Sequence, residues 1–193
     1  MTVRMRGAAA MGILLGALTG CSSDGPLPSV DGAARTVAGT ATADPDAVAA
    51  HLKKKAVQRA GLDACHRWVA GYTPRVATHD AGTGATKVLK DSPSVAAFWA
   101  GMAPKLAAEY AAIDTEMTAL PAVLTIAAPI PELVEVLTEY RRLITVYRST
   151  VQATQAAAAG PPNMWGGTNE AYKAVTDHMN AKIVTLCNRI EDE

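Results

Sequence analysis

The chain has 193 residues, 39 of them alanine, so the 49% hydrophobic content overstates the supply of large apolar groups, and aromatics make up only 5%. That supply suffices for the core of one ordinary domain and argues against two. Eighteen basic residues balance eighteen acidic ones, which excludes both the electrostatic footprint of a nucleic-acid binder and the charge excess of global disorder.

The first segment differs in kind from the rest. Arg4 and Arg6 precede an uncharged apolar run over residues 7–18. A run of about 12 residues is too short for a membrane span and has the form of a signal peptide. It ends in Leu18-Thr19-Gly20-Cys21. This segment resembles the lipobox of bacterial lipoproteins: an apolar residue, two small ones, then cysteine. The resemblance implies a signal peptide over 1–20, cleavage before Cys21, a diacylglyceryl group on its thiol and acylation (palmitate or a similar chain) of the new amino terminus. Several acyl chains on one residue hold a protein stably at a membrane, where a single chain does so only marginally. Loss of Arg4 and Arg6 leaves 16 basic against 18 acidic side chains. No other apolar run is long enough to span. With Cys21 assigned, Cys65 and Cys187 remain as one pair for an oxidising compartment.

Residues 22–44 are rich in Ser, Asp, Gly, Pro, Ala and Thr and carry no helix or strand period, so 21–44 reads as the acylated cysteine and a flexible linker. Such a coil holds the following domain roughly 25–30 Å from its anchor.

Residues 45–193 read as helices. Asp44-Pro45 is an N-cap with proline at the first helical position, and Val48, Leu52 and Ala56 follow on one face. Gly61 interrupts, and Leu62, Cys65, Val69 and Tyr72 continue, either on one bent helix or on a second short one. The aperiodic stretch 73–91 is expected to be a long connection, functional or simply mobile. Ser92-Pro93 repeats the start signal, ahead of the stripe Val95, Trp99, Met102, Leu106, Tyr110, Ile113, Met117 and Leu120, with a kink expected at Pro104. After Ile130-Pro131 the stripe Leu133, Leu137, Tyr140, Ile144, Tyr147, Val151, Thr154 and Ala158 alternates spacings of four and three, which is the pattern of a helix seam. Gly160-Pro161-Pro162 stops it, and a last helix from about Thr168 carries Tyr172, Val175, Met179, Ile183, Leu186 and Ile190. The expected fold is all-α: an antiparallel bundle of about four helical regions.

Asp63-Ala64-Cys65-His66, Pro129-Ile130-Pro131-Glu132-Leu133 and Ile183-Val184-Thr185-Leu186-Cys187 together resemble a family of small helical lipoproteins of actinobacteria, which place one Cys early and one near the end. The resemblance spans residues 44–187 and implies fold and location alone.

The chemistry is sparse. His51, His66, His79 and His178 stand apart from ligand spacings, and Cys65-His66 on a helix point about 100° apart, so no metal site and no cofactor is expected. No nucleophile elbow, zinc-protease motif or P-loop occurs. His79-Asp80 reads as an exposed loop pair. A disulfide between Cys65 and Cys187 is expected, and it argues for two segments around Gly61 rather than one straight helix, with residues 62–72 folding back toward the far end of the last helix. Two surface features stand out. Lys53, Lys54 and Lys55 with Arg59 form a basic cluster just past the linker, either a solvated helix face or a contact to anionic lipid headgroups. Met164-Trp165, in a Gly-Pro-rich turn, offers a partner contact or closes the end of the core.

These features point to a non-catalytic envelope lipoprotein on the outer face of the cytoplasmic membrane, displaying a helical module to another envelope protein or the wall. A phage-borne protein that blocks superinfection belongs to the same class. The second class is a carrier of a small apolar ligand, lipid or haem, with His66 or Tyr72 as candidate axial groups for haem. An enzyme is not expected, because no acid, base and nucleophile converge by spacing.

Overall fold

Asp44 opens the first helix as expected: its Oδ1 accepts from the Asp46 backbone N–H at 3.0 Å, and Pro45 follows at the first helical position. The structure, a computed structural model, describes residues 44–157 and 165–193. Among these the elements are α1 (Pro45–Leu89), α2 (Val95–Ala127), α3 (Pro131–Ala156), α4 (Trp165–His178), a π-helical segment (Met179–Val184) and α5 (Thr185–Asp192). Helix α1 packs on α2, α2 on α3 and α3 on α4, and α5 returns to α1, which closes an all-α bundle.

Three expectations for α1 are corrected. The helix passes Gly61 without interruption, and it also takes up 73–89, the stretch expected to be a loop. Its seam is Gly61, Cys65, Trp68, Tyr72, Arg75, His79, Gly82, Thr86 and Leu89, spaced four and three throughout. A seam that holds arginine, histidine and glycine has helical period but no apolar period, so its residues read as loop polar groups. The third correction concerns Val48 and Leu52, which are 44% and 62% exposed and face away from the bundle. All residues from 45 to 56 are exposed, so α1 starts about three turns before the packed body does.

Gly61 earns its place by packing rather than by breaking the helix. A Cβ there would lie 2.4 Å from Ile130 Cδ1 and 3.0 Å from Ile190 Cγ2, so glycine lets the α2–α3 turn and α5 approach α1 closely.

Helix α2 begins two residues later than its expected signal, with Ser94 Oγ accepting from the Ala97 N–H at 3.1 Å. It continues past Pro104 and Pro121, whose rings are both exposed. Val95 is 44% exposed rather than a core residue. The buried seam is Met102, Leu106, Glu109, Ile113, Glu116, Leu120, Val123 and Ala127, so two glutamates occupy positions that the apolar stripe skipped. In α3 the expected stripe from Leu133 to Thr154 is the buried face residue for residue; Ala158 lies outside the described residues. The final helix starts at Trp165, not Thr168, and buries Val175, Met179, Ile183, Leu186 and Ile190. Two consecutive spacings of four exceed the α-helical turn, and the π-helical segment that spans Met179 and Ile183 keeps both on the core side.

Cys65 and Cys187 form a disulfide with Cα atoms 5.9 Å apart. No fold-back at Gly61 is involved. Because α1 extends to Leu89, Cys65 lies in its first half, and the antiparallel last helix brings its own C-terminal part there. The Gln58 side-chain amide donating to the Ile190 carbonyl at 3.1 Å fixes the same register.

Candidate functional site

The middle of the bundle holds a buried polar layer built by α1, α2 and α3. Arg75 and Glu116, both essentially without solvent exposure, pair through Nε and Oε2 at 2.7 Å. Arg75 Nη2 donates to the Tyr140 hydroxyl at 3.1 Å, and that hydroxyl donates to Glu116 Oε1, closing a three-membered ring of contacts. Each member comes from a different helix, so the ring fixes their mutual register. Burial is the largest influence on Tyr140 and pushes its hydroxyl well above the usual tyrosine value. Burial alone would lower the Arg75 guanidinium, but Tyr140 and Glu116 outweigh it and hold that group above its ordinary value.

One turn further along α1 a second layer repeats the theme. His79, expected in an exposed loop, is only 6% exposed, whereas its neighbour Asp80 does face solvent. His79 Nδ1 lies 2.7 Å from Glu109 Oε1 and 3.0 Å from the Tyr147 hydroxyl, and Nε2 lies 3.4 Å from Thr83 Oγ1. Tyr172 of α4 stacks on the imidazole, with ring centroids 3.4 Å apart and planes 8° from parallel. The Arg75 guanidinium lies 5.6 Å from the Tyr172 ring centroid and 5.9 Å from that of Tyr147, so the same two rings cover both layers. Burial raises the Tyr172 hydroxyl above its usual value too. Arg75 Nη1 and Glu109 Oε2 are buried without a hydrogen-bond partner among the described residues. Above these layers the Thr154 and Thr168 hydroxyls meet at 2.9 Å between α3 and α4.

Apolar spacing passes over this cluster. Tyr140 and Tyr147 are legible as stripe residues, but Arg75, Glu109 and Glu116 are not. The signal for the glutamates is positional: they sit seven apart, interleaved with Leu106, Ile113 and Leu120 at the seam spacing. Arg75 and His79 are likewise in phase with Trp68 and Tyr72.

The second feature is a groove of about 560 Å³ at the end of the bundle where α1 begins. Its floor includes Val57, Ile130, Leu186 and Ile190, and its rim carries Lys53, Lys54, Arg189, Glu132 and Glu193. Arg189 is paired with Glu132, while neither Lys53 nor Lys54 has an ion-pair partner among the described residues. The overhanging first turns of α1 form one wall, and the α2–α3 turn and α5 form the others.

The other expected site residues scatter. Lys55 shares the exposed start of α1 with Lys53 and Lys54 but does not line the groove. His66 is exposed; Tyr72 is half-buried and packs against Trp68 with centroids 4.7 Å apart. Six residues of helix separate these two candidate axial groups, which puts them on different faces of α1. His178 Nε2 contacts the Val136 carbonyl oxygen at 2.9 Å, and His51 is exposed. Cys21 and Met164 lie outside the described residues, and Trp165 is the first residue of α4 rather than part of a turn. Among the described residues no three His, Cys, Asp or Glu side chains gather as a metal ion would need, and no helix is long and apolar enough to cross a membrane.

No protein-family model, curated protein or solved structure matches the chain.

Proposed function

We propose that the chain is an exported lipoprotein, held at the outer face of the cytoplasmic membrane by acylated Cys21, whose helical bundle is a non-catalytic binding module. The observation that carries this reading is the Cys65–Cys187 bridge. Bridges of this kind persist in oxidising compartments. Of the three cysteines in the chain, the bridge leaves only the one in Leu18-Thr19-Gly20-Cys21 free for another use. The polar layers have a structural place in this reading, because Arg75, His79, Glu109 and Glu116 are all buried and engaged with side chains of neighbouring helices.

The test is Cys21→Ala in the full chain. Wild type should fractionate with membranes and carry the mass of its acyl groups; the variant should be released or remain an uncut precursor. Identical fractionation, with a mass difference equal to the substitution alone, overturns the reading. Between the two kinds of module, the groove beside Lys53 and Lys54 favours the carrier of a small apolar ligand.

A further inference from the structure

The groove at the start of α1 combines an apolar floor with a cationic rim, and its position restricts what can reach it. We propose that it takes one anionic phospholipid, with an acyl chain along Val57, Ile130 and Ile190 and the phosphate at Lys53 and Lys54. This rests on the lipid-anchor reading above, under which the groove belongs to the first helical turns that follow the tether in sequence. The 560 Å³ volume lies within the range of small-molecule sites.

The charge arrangement selects the headgroup. Glu132 on the rim is paired with Arg189, so the two lysines and Glu193, which lines the same groove, set the local balance. From 44 to 59 the chain carries Lys53, Lys54, Lys55 and Arg59 against Asp44 and Asp46. A cluster of four cations on one short helical stretch is the composition that attracts anionic lipid surfaces. The polar core does not compete for this ligand, since its side chains are buried and none of them lines the groove.

The experiment uses the full chain, solubilised in detergent, with a phosphatidylglycerol that carries a photoreactive group on its acyl chain. Cross-links are expected on peptides containing Val57, Ile130 or Ile190. Unlabelled short-chain phosphatidylglycerol should compete, while phosphatidylcholine of equal chain length and inorganic phosphate should not. Lys53→Glu with Lys54→Glu should weaken competition by at least about thirtyfold, the equivalent of about 1 kcal/mol for each lost lysine contact. Ala50→Trp, at an exposed lining position, should obstruct the groove and reduce labelling, with an unchanged thermal melt to show that the fold is intact. Labelling elsewhere, equal competition by phosphatidylcholine or by phosphate, or unchanged labelling in the lysine variant would each overturn the proposal. The intact mass of the same sample reports whether Cys21 is acylated, so failure of the anchor and failure of the groove are read separately.

Discussion

Replacing Arg75 by methionine tests whether the polar layers cross-link the helices as their geometry requires. Met matches much of the volume of the arginine stem, so packing changes little, but the substitution removes the 2.7 Å contact to Glu116 and the 3.1 Å contact to Tyr140. Glu116, 1% exposed, is then left with only the Tyr140 hydroxyl as a partner. Breaking a buried pair by removing one partner costs about 3–5 kcal/mol. For a domain of this size that lowers the melting temperature by on the order of 10 °C. The informative comparison is Arg75→Met with Glu116→Leu and Tyr140→Phe together, which removes every member of the ring. If desolvation roughly cancels attraction here, the triple variant recovers to within about 1 kcal/mol of wild type. Urea unfolding followed by far-UV circular dichroism, under non-reducing conditions, gives both values. An Arg75→Met cost below about 1 kcal/mol, or a triple variant as unstable as the single one, would refute the reasoning.

Burial raises the hydroxyls of Tyr72, Tyr140 and Tyr172 above the ordinary value of 10.0, so the unfolded chain ionises first as the pH climbs. Their contribution is complete below about pH 10 and is lost progressively above it; the urea midpoint should hold up to about pH 10 and fall as the pH rises further, less steeply in Tyr140→Phe. Reduction of the Cys65–Cys187 bridge opens a loop of 122 residues, and the chain-entropy model predicts a loss of about 4–5 kcal/mol, checked by unfolding with and without reductant. Two freely labelled thiols at these positions in the exported, non-reduced protein would remove the basis of that figure.

How legible each helix is in the sequence depends on what fills its seam. In α3 the seam residues from Leu133 to Thr154 are nearly all large and apolar, so spacing alone identifies the buried face. In the second half of α1 the same spacing is occupied by Arg75, His79, Gly82 and Thr86, which individually are residues of loops and surfaces. Their burial is tolerable only because Glu116, Glu109, Tyr140 and Tyr147 arrive from other helices, and such complementarity is absent from any one segment. The true end of α1 also decides the disulfide register: a helix that stops near Tyr72 puts Cys65 at the wrong end for Cys187, and one that runs to Leu89 puts it at the right one. The groove is half legible, since Lys53 and Lys54 form a visible cluster, but most of its floor comes from residues more than 70 positions away along the chain, such as Ile130 and Ile190.

The disulfide also determines how the bundle would bear load. Tension applied between the segment before Cys65 and the segment after Cys187 passes through the covalent bridge and bypasses the 122-residue loop between them. Among the described residues, only the helix turns from Pro45 to Cys65 and the last few residues of α5 can be drawn out. The seams of α2 and α3, together with both polar layers, lie inside the bypass. A force that unwinds the exposed start of α1 therefore stops at Cys65 with the body of the bundle still packed, and a molecule pulled at both ends should show a short extension followed by a rigid limit.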